Sequence, residues 1–193
     1  MASADHVLAE IARRCKAFGV RLIVDPARNI EKDGVMVGGY FCDVKRELAV
    51  GAGADTPIWM GTLLHEYSHV TQWVENTPLW RGYDSGMWTW LEGKAHPNPK
   101  AAVRSVQLVE EDCERRTIRL ARELQADIDL PNYVRAANAY IHFHNVLLAK
   151  RKWYRPGTIM AAIPSLMAAA NPTLDTDFRT TPKALRAELE KLV

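Results

Sequence analysis

The chain has 193 residues, 48% of them hydrophobic and 25% charged, and a formal net charge of +2. That length and apolar content suit one domain with a real core and argue against a second catalytic domain, while so mild a charge demands neither a nucleic acid nor an anionic membrane as partner. Three cysteines, Cys15, Cys42 and Cys113, are odd in number and widely spaced among residues that read as buried helix or strand, which implies neither a disulfide framework nor a zinc finger.

Ser3 or Asp5 can cap a first helix running to about Phe18, with Val7, Leu8, Ile11, Cys15 and Phe18 on its buried face and Gly19 as its stop. The opening Met1-Ala2-Ser3-Ala4-Asp5-His6 has no basic segment followed by a long apolar one. No uncharged run approaches the roughly 18 residues of a membrane helix, so a cytoplasmic protein without a membrane partner is expected. Val20 to Val24 alternates and predicts a strand ended by Asp25-Pro26. After a polar loop through Gly34, residues 35–42 and 47–50 predict two more strands, with Asp43 to Arg46 as the hairpin turn between them.

Asp55-Thr56-Pro57 supplies a cap and a first-turn proline for a helix from about Ile58 to Glu75. It carries His65-Glu66-Tyr67-Ser68-His69. At 3.6 residues per turn, His65 and His69 project from one side and can reach one tetrahedral zinc ion, while Glu66 is rotated towards the neighbouring water. The flanks are uncharged, and Leu63, Tyr67, Val70 and Val74 form a buried stripe opposite the histidines. A helix bearing two merely solvated histidines would more typically show Lys, Arg or Glu there.

Asn76 to Lys100 holds Trp80, Trp88 and Trp90 among prolines and glycines and reads as a long ordered loop whose aromatic residues cover the core. From Lys100 to about Leu130, the spacing of Val103, Val106, Val109, Cys113, Leu120, Leu124 and Ile128 predicts a long helix broken by Pro131. Asn132 to about Lys152 predicts another, with Tyr133, Ala137, Tyr140, Ile141, His144 and Leu148 inward. The remainder contains Pro156-Gly157, Pro164 and Pro172 and reads as coil with short helical turns, ahead of a terminal helix from Thr181-Pro182 to Leu192.

Hydrolytic zinc sites keep three protein ligands and one open position. The candidates for the third are Glu92, His96, Glu110, Glu111 and Glu114; an elongated HExxHxxGxxH motif is excluded because Gln72 and Glu75 stand at its Gly and third His positions. On the long helix, Glu110 and Glu114 share the largely apolar face with Val103, Val106, Gln107, Cys113 and Thr117, whereas Glu111 shares a stripe with Arg115, Arg119 and Arg122. A carboxylate on an apolar face is costly unless a cation compensates it. Glu110 is therefore the preferred ligand, with Glu111, Glu92 and His96 as alternatives. Glu114, one turn on, either accepts the outer N–H of a ligand histidine or pairs with arginine neighbours on its own helix.

The order of a helix, three short strands, the His-Glu-Tyr-Ser-His helix and a later helix with Glu110-Glu111-Asp112-Cys113-Glu114 resembles a minimal zincin metallopeptidase of the gluzincin type. In its compactness the chain is similar to small metallopeptidase-like proteins of bacteria and phages. The resemblance covers roughly residues 1 to 150. It implies an α+β, zincin-like fold, mostly helical, with a small three-stranded sheet near the His-Glu-Tyr-Ser-His helix. The organisation expected is one domain over 1–193, with a compact catalytic part to about 152 and an irregular extension over 153–193. It also implies Zn2+ held by His65, His69 and Glu110, Glu66 as base, and Glu114 supporting a histidine, although many relatives carry Asp at that last position.

The expected function is hydrolysis of peptide bonds in a peptide or protein substrate, with Glu66 taking a proton from a zinc-activated water and passing it to the leaving amine. Tyr83, His96, Tyr133, Tyr140, His142 and His144 are candidates for stabilising the oxyanion, and a strand at 35–42 or 47–50 for pairing with the substrate. The alternative is a non-catalytic zinc-containing protein that binds a partner. Lys150-Arg151-Lys152-Trp153-Tyr154-Arg155 interleaves cations and aromatics as single-stranded nucleic-acid binders do, although a solvated helix end is the better account.

Overall fold

The computed structural model describes residues 2–154 and 164–193. Its elements are α1 (Ala4–Ala17), β1 (Arg21–Asp25), β2 (Ile30–Lys32), β3 (Val35–Val37), β4 (Gly39–Cys42), β5 (Glu47–Gly51), α2 (Thr56–Val74), α3 (Pro78–Arg81), α4 (Gly86–Leu91), α5 (Pro99–Glu123), α6 (Leu130–Lys150), α7 (Pro164–Ala169) and α8 (Lys183–Leu189), closed by a 3-10 turn at Glu190–Leu192. The class is α+β. Arg155 and Pro156-Gly157, read above as the end of a basic run and a break, lie outside the described residues. No described helix is long and apolar enough to cross a membrane. The described chain falls into two compact units, one of residues 1–80 and 113–129, the other of residues 81–112 and 130–193.

In the first unit, the Ser3 side chain accepts the His6 amide, capping α1, and Gly19 at φ 69° ends it. Val7, Ile11 and Cys15, at i, i+4 and i+8, form its buried stripe. The sheet has the order β1-β5-β4, with β1 parallel and β4 antiparallel to the central β5. All five residues of β5 are buried, as a strand paired on both sides and covered by α2 requires. Its Glu47 carboxylate is tolerated there because the Tyr40 hydroxyl donates to it and the Arg21 guanidinium pairs with it.

Two sequence expectations change here. The strand expected over 35–42 is interrupted at Gly38, and its first part pairs with β2 as a separate hairpin where a polar loop was expected. Asp33 at φ 51° and Gly34 at φ 84° form that tight turn, the left-handed pair that two-residue hairpins favour. Val74 is also 40% exposed, so the buried stripe of α2 ends at Val70.

The second unit is helical. Met87 and Trp90 of α4, Val103 and Val106 of α5, Phe143 and Leu147 of α6, Leu166 of α7 and Leu189 of α8 make one core. The stretch expected as loop over 76–100 thus contains two short helices, and the residues after 164 are part of this core. Polar side chains fix their backbone: Asn138 donates to the carbonyls of Asn171 and Thr173, Gln107 and Asn145 donate to that of Phe178, and Arg135 takes the Met167 and Ala170 carbonyls at the end of α7. Pro131 falls in the first turn of α6, where a missing N–H costs nothing.

His144 is fully buried in this unit, its Nδ1 donating to the Tyr140 carbonyl at 3.1 Å and its Nε2 without a hydrogen-bond partner among the described residues. Burial pushes its pKa down from the usual histidine value to about 4. Below about 6.5 the unfolded chain therefore takes up a proton that the folded chain refuses, and stability falls as the pH drops from there to about 4. The loss should reach about 3 kcal/mol, at about 1.4 kcal/mol per pH unit. Urea unfolding between pH 4 and 8 should show a loss of stability towards acid pH in the wild type, and His144→Gln should make it shallower by His144's share; parallel pH profiles would refute the assignment.

Candidate metal centre

α2 is built to carry a site on one side. Asp55 and Pro57 start it, Met60, Leu63, Leu64, Tyr67 and Val70 anchor it in the first unit, and His65 and His69 stand half-buried. Their rings meet edge to face with centroids 4.8 Å apart. His65 Nδ1 lies 3.1 Å from Glu114 Oε1, and His69 Nδ1 lies 2.8 Å from Gln72 Oε1. Both partners are oxygens that only accept, so each histidine donates its Nδ1–H, and Nε2 is the nitrogen that could ligate a metal.

Glu114 is buried, and the Cys113–Glu123 part of α5 is held to α2 by further contacts. Thr117 Oγ1 donates to Ser68 Oγ at 2.9 Å, and Arg116 reaches Thr71 Oγ1 at 3.1 Å and Glu75 at 2.8 Å. Of the two roles expected for Glu114, the contact with a histidine of the motif is present.

The ligating atoms of His65, His69 and Cys113 all lie within 4.8 Å of one another. The sulfur sits 3.3 Å from the His65 carbonyl and 3.6 Å from His65 Nδ1, the same side of the ring as Glu114. A metal on that side would have to displace the Glu114 contact. A metal on the Nε2 side would keep both outer hydrogen bonds, the arrangement that ligating histidines almost always show. At His65, burial opposes the charged ring, but Cys113 and Glu114 outweigh it and raise its pKa well above the usual histidine value. At His69, burial, reinforced by neighbouring His65, pushes the pKa down to about 4. One ring of the pair is thus held in an environment that favours positive charge.

Glu66 faces the sheet. A Cβ on Gly39, in the edge strand β4, would come within 3.2 Å of Glu66 Cγ, 2.8 Å of Thr62 Cγ2 and 2.9 Å of the Ala49 carbonyl. Only glycine allows β4 to pass so close to the helix face that bears Glu66. On the other flank, the Trp80 ring centroid lies 6.0 Å from that of His69, and Phe41 of β4 packs against both Trp73 and Trp80.

The remaining candidates belong to the second unit. Glu110 is half-buried there and contributes to raising the pKa values of Tyr83 and Tyr154, after burial in each case. Glu111 is half-buried. Glu92 is exposed beside Lys94, and His96 pairs with Asp84 at 3.1 Å. Tyr83 accepts from the Trp88 indole, His142 is buried against Asp175 at 3.0 Å, and His144 is buried as described; Tyr133 and Tyr140 are half-buried on α6. Gln72, Gly39, Trp80 and Phe41 were not singled out from sequence as neighbours of the motif. Gln72 had a signal, since i+3 from His69 is one helical turn away; the other three depend on pairing and packing that no local pattern encodes.

Gly39→Ala should cost about 1–3 kcal/mol through the clash with Thr62 and the Ala49 carbonyl, whereas Gly38→Ala, whose Cβ would meet nothing closer than 3.8 Å, should be far milder. Urea midpoints of the two variants test this, and equal midpoints would contradict the close approach. No family model matches the chain, and no curated protein or solved structure matches it either.

Proposed function

We propose that the chain is a zinc-dependent metallopeptidase of the gluzincin type with a zincin-like domain, in which His65, His69 and Glu110 hold the metal and Glu66 is the catalytic base. The observation that carries this reading is the 3.1 Å contact of Glu114 with His65 Nδ1, matched by Gln72 at His69 Nδ1. Outer partners of this kind fix the ring orientation and tautomer that zinc ligation needs, and a surface pair of histidines has no use for them.

For the third ligand, Glu110 precedes Glu114 by one turn of α5, the spacing that the gluzincin resemblance implies. Cys113 is the rival, but its thiol lies on the Nδ1 side of His65 and donates to the backbone carbonyl there. Zinc held by these residues would supply Lewis acidity for a peptide carbonyl and lower the pKa of a water towards about 7. Glu66, adjacent to His65 and turned towards β4, is the residue that would take a proton from such a water and deliver it to the leaving amine. β5 is bonded on both sides, so of the two strands expected to pair with an extended substrate it is the edge strand β4, beside the motif helix, that has a side open for it.

Glu66→Gln should retain one zinc per chain while peptide hydrolysis falls by about 100-fold or more. Undiminished hydrolysis would remove the mechanism, and a zinc-loaded wild type that cuts no peptide would return the chain to the class of non-catalytic zinc proteins. Glu110→Ala should lose stoichiometric zinc and Cys113→Ser should keep it; the reverse pattern would make Cys113 the ligand. Glu114→Ala should weaken zinc binding about 10- to 100-fold in chelator competition, and unchanged affinity would leave the contact without a role in ligation.

A further inference from the structure

Beside the histidine pair, the first unit has an open groove of about 540 Å³ lined by Phe18, Asp43, Trp73, Val74, Asn76 and Trp80. Its apolar lining is not sealed, since Phe18 is 38% and Val74 40% exposed. Three features give it a sign. The Asp43 carboxylate, directly after β4, is its one charged lining group. Trp73, Val74 and Asn76 come from the C-terminal end of α2, where the carbonyl dipoles favour positive charge. Trp73 and Trp80 present indole rings, the best aromatic partners for a cation; the chain's own Arg46 guanidinium, 5.8 Å from the Trp73 ring centre, already uses one face of Trp73 and competes there with an incoming cation.

The groove is also placed for a substrate. Trp80, one of its walls, is 6.0 Å from the His69 ring, and Phe41 of the edge strand packs on both tryptophans. A peptide paired along β4 leaves the strand at Asp43.

We propose that this groove is a specificity subsite for a cationic side chain, arginine or lysine, of the peptide substrate. Asp43 supplies the countercharge, and Trp73 and Trp80 supply apolar walls for the aliphatic stem and π faces for the charged head. The inference rests on the peptidase reading for its biological meaning, but the groove can be tested without turnover.

The test uses the full chain carrying Glu66→Gln and loaded with zinc, titrated calorimetrically with Ala-Ala-Arg-Ala-Ala-Ala and with the same hexapeptide bearing norleucine in place of arginine. Arginine should bind about tenfold tighter. Asp43→Asn should reduce that ratio several-fold, and Asp43→Lys should abolish or invert it. Equal affinities, or a ratio unchanged in both Asp43 variants, would overturn the subsite. In parallel, a peptide library digested by the zinc-loaded wild type should show arginine or lysine enriched at one fixed position relative to the cut. Cleavage with no such enrichment overturns the subsite and leaves the peptidase reading standing. Absence of cleavage overturns the peptidase reading, and the hexapeptide ratio then decides the groove alone.

Discussion

A buried carboxylate governs the first unit. Glu114 is 4% exposed, and an ionised group so placed costs several kcal/mol unless it is paired. Its partner is His65 Nδ1, and the Thr117–Ser68 and Arg116–Glu75 contacts hold the same stretch of α5 against α2 on either side. That register orients the His65 ring, with its Nε2 on the side opposite Glu114. Positive charge placed on the ring, whether by a proton or by a metal at Nε2, strengthens the contact. The buried acid and the proposed metal site are therefore electrostatically coupled: positive charge on the ring favours the acid's contact, and the acid's contact orients the ring.

The position of Glu66 follows from a different constraint, the sheet. β5 is central and wholly buried, α2 covers it, and β4 is left as the edge beside the helix. The approach is so tight at Gly39 that a methyl group would meet both a side chain and a backbone carbonyl. The proposed base thus faces a strand whose outer edge offers backbone hydrogen bonds, whereas the histidines face the α5 side. The motif helix separates the two functions by rotation alone, one residue step being about 100°.

Much of this was legible in the sequence for a physical reason: helices announce themselves by local periodicity. α1, α2, α5 and α6 were expected to within a few residues at most ends, and the apolar face of α5 identified Glu114 as inward because a carboxylate among Val106, Cys113 and Thr117 can have no other reason to be there. The β2–β3 hairpin was missed because three-residue strands carry too little alternation to register, and α3 and α4 because four- and six-residue helices have less than two turns of pattern. The α5 helix was expected to reach Leu130 but ends at Glu123, where Gln125 adopts φ 51°; a non-glycine residue in that conformation leaves no mark in composition. The aromatic groove was illegible because Phe18, Asp43, Trp73 and Trp80 come from four separate places in the chain.

Four of the chain's histidines show why residue type alone does not identify a site. His142 and His144 are more deeply buried than His65 and His69, and burial works against the proton at all four, prevailing at His69, His142 and His144. The difference lies in what each ring is asked to do by its partners. His144 spends its Nδ1–H on the carbonyls of its own helix, and its Nε2 is walled in; His142 ties α6 to Asp175 and packs on Phe178. Both serve the packing of the second unit. His65 and His69 take acceptors at Nδ1 from side chains at their backs, lie ring edge to ring face, and keep part of their surface in contact with solvent. Of these four rings, it is this pair that combines outer acceptors, mutual contact and solvent access, the combination that a shared metal would use.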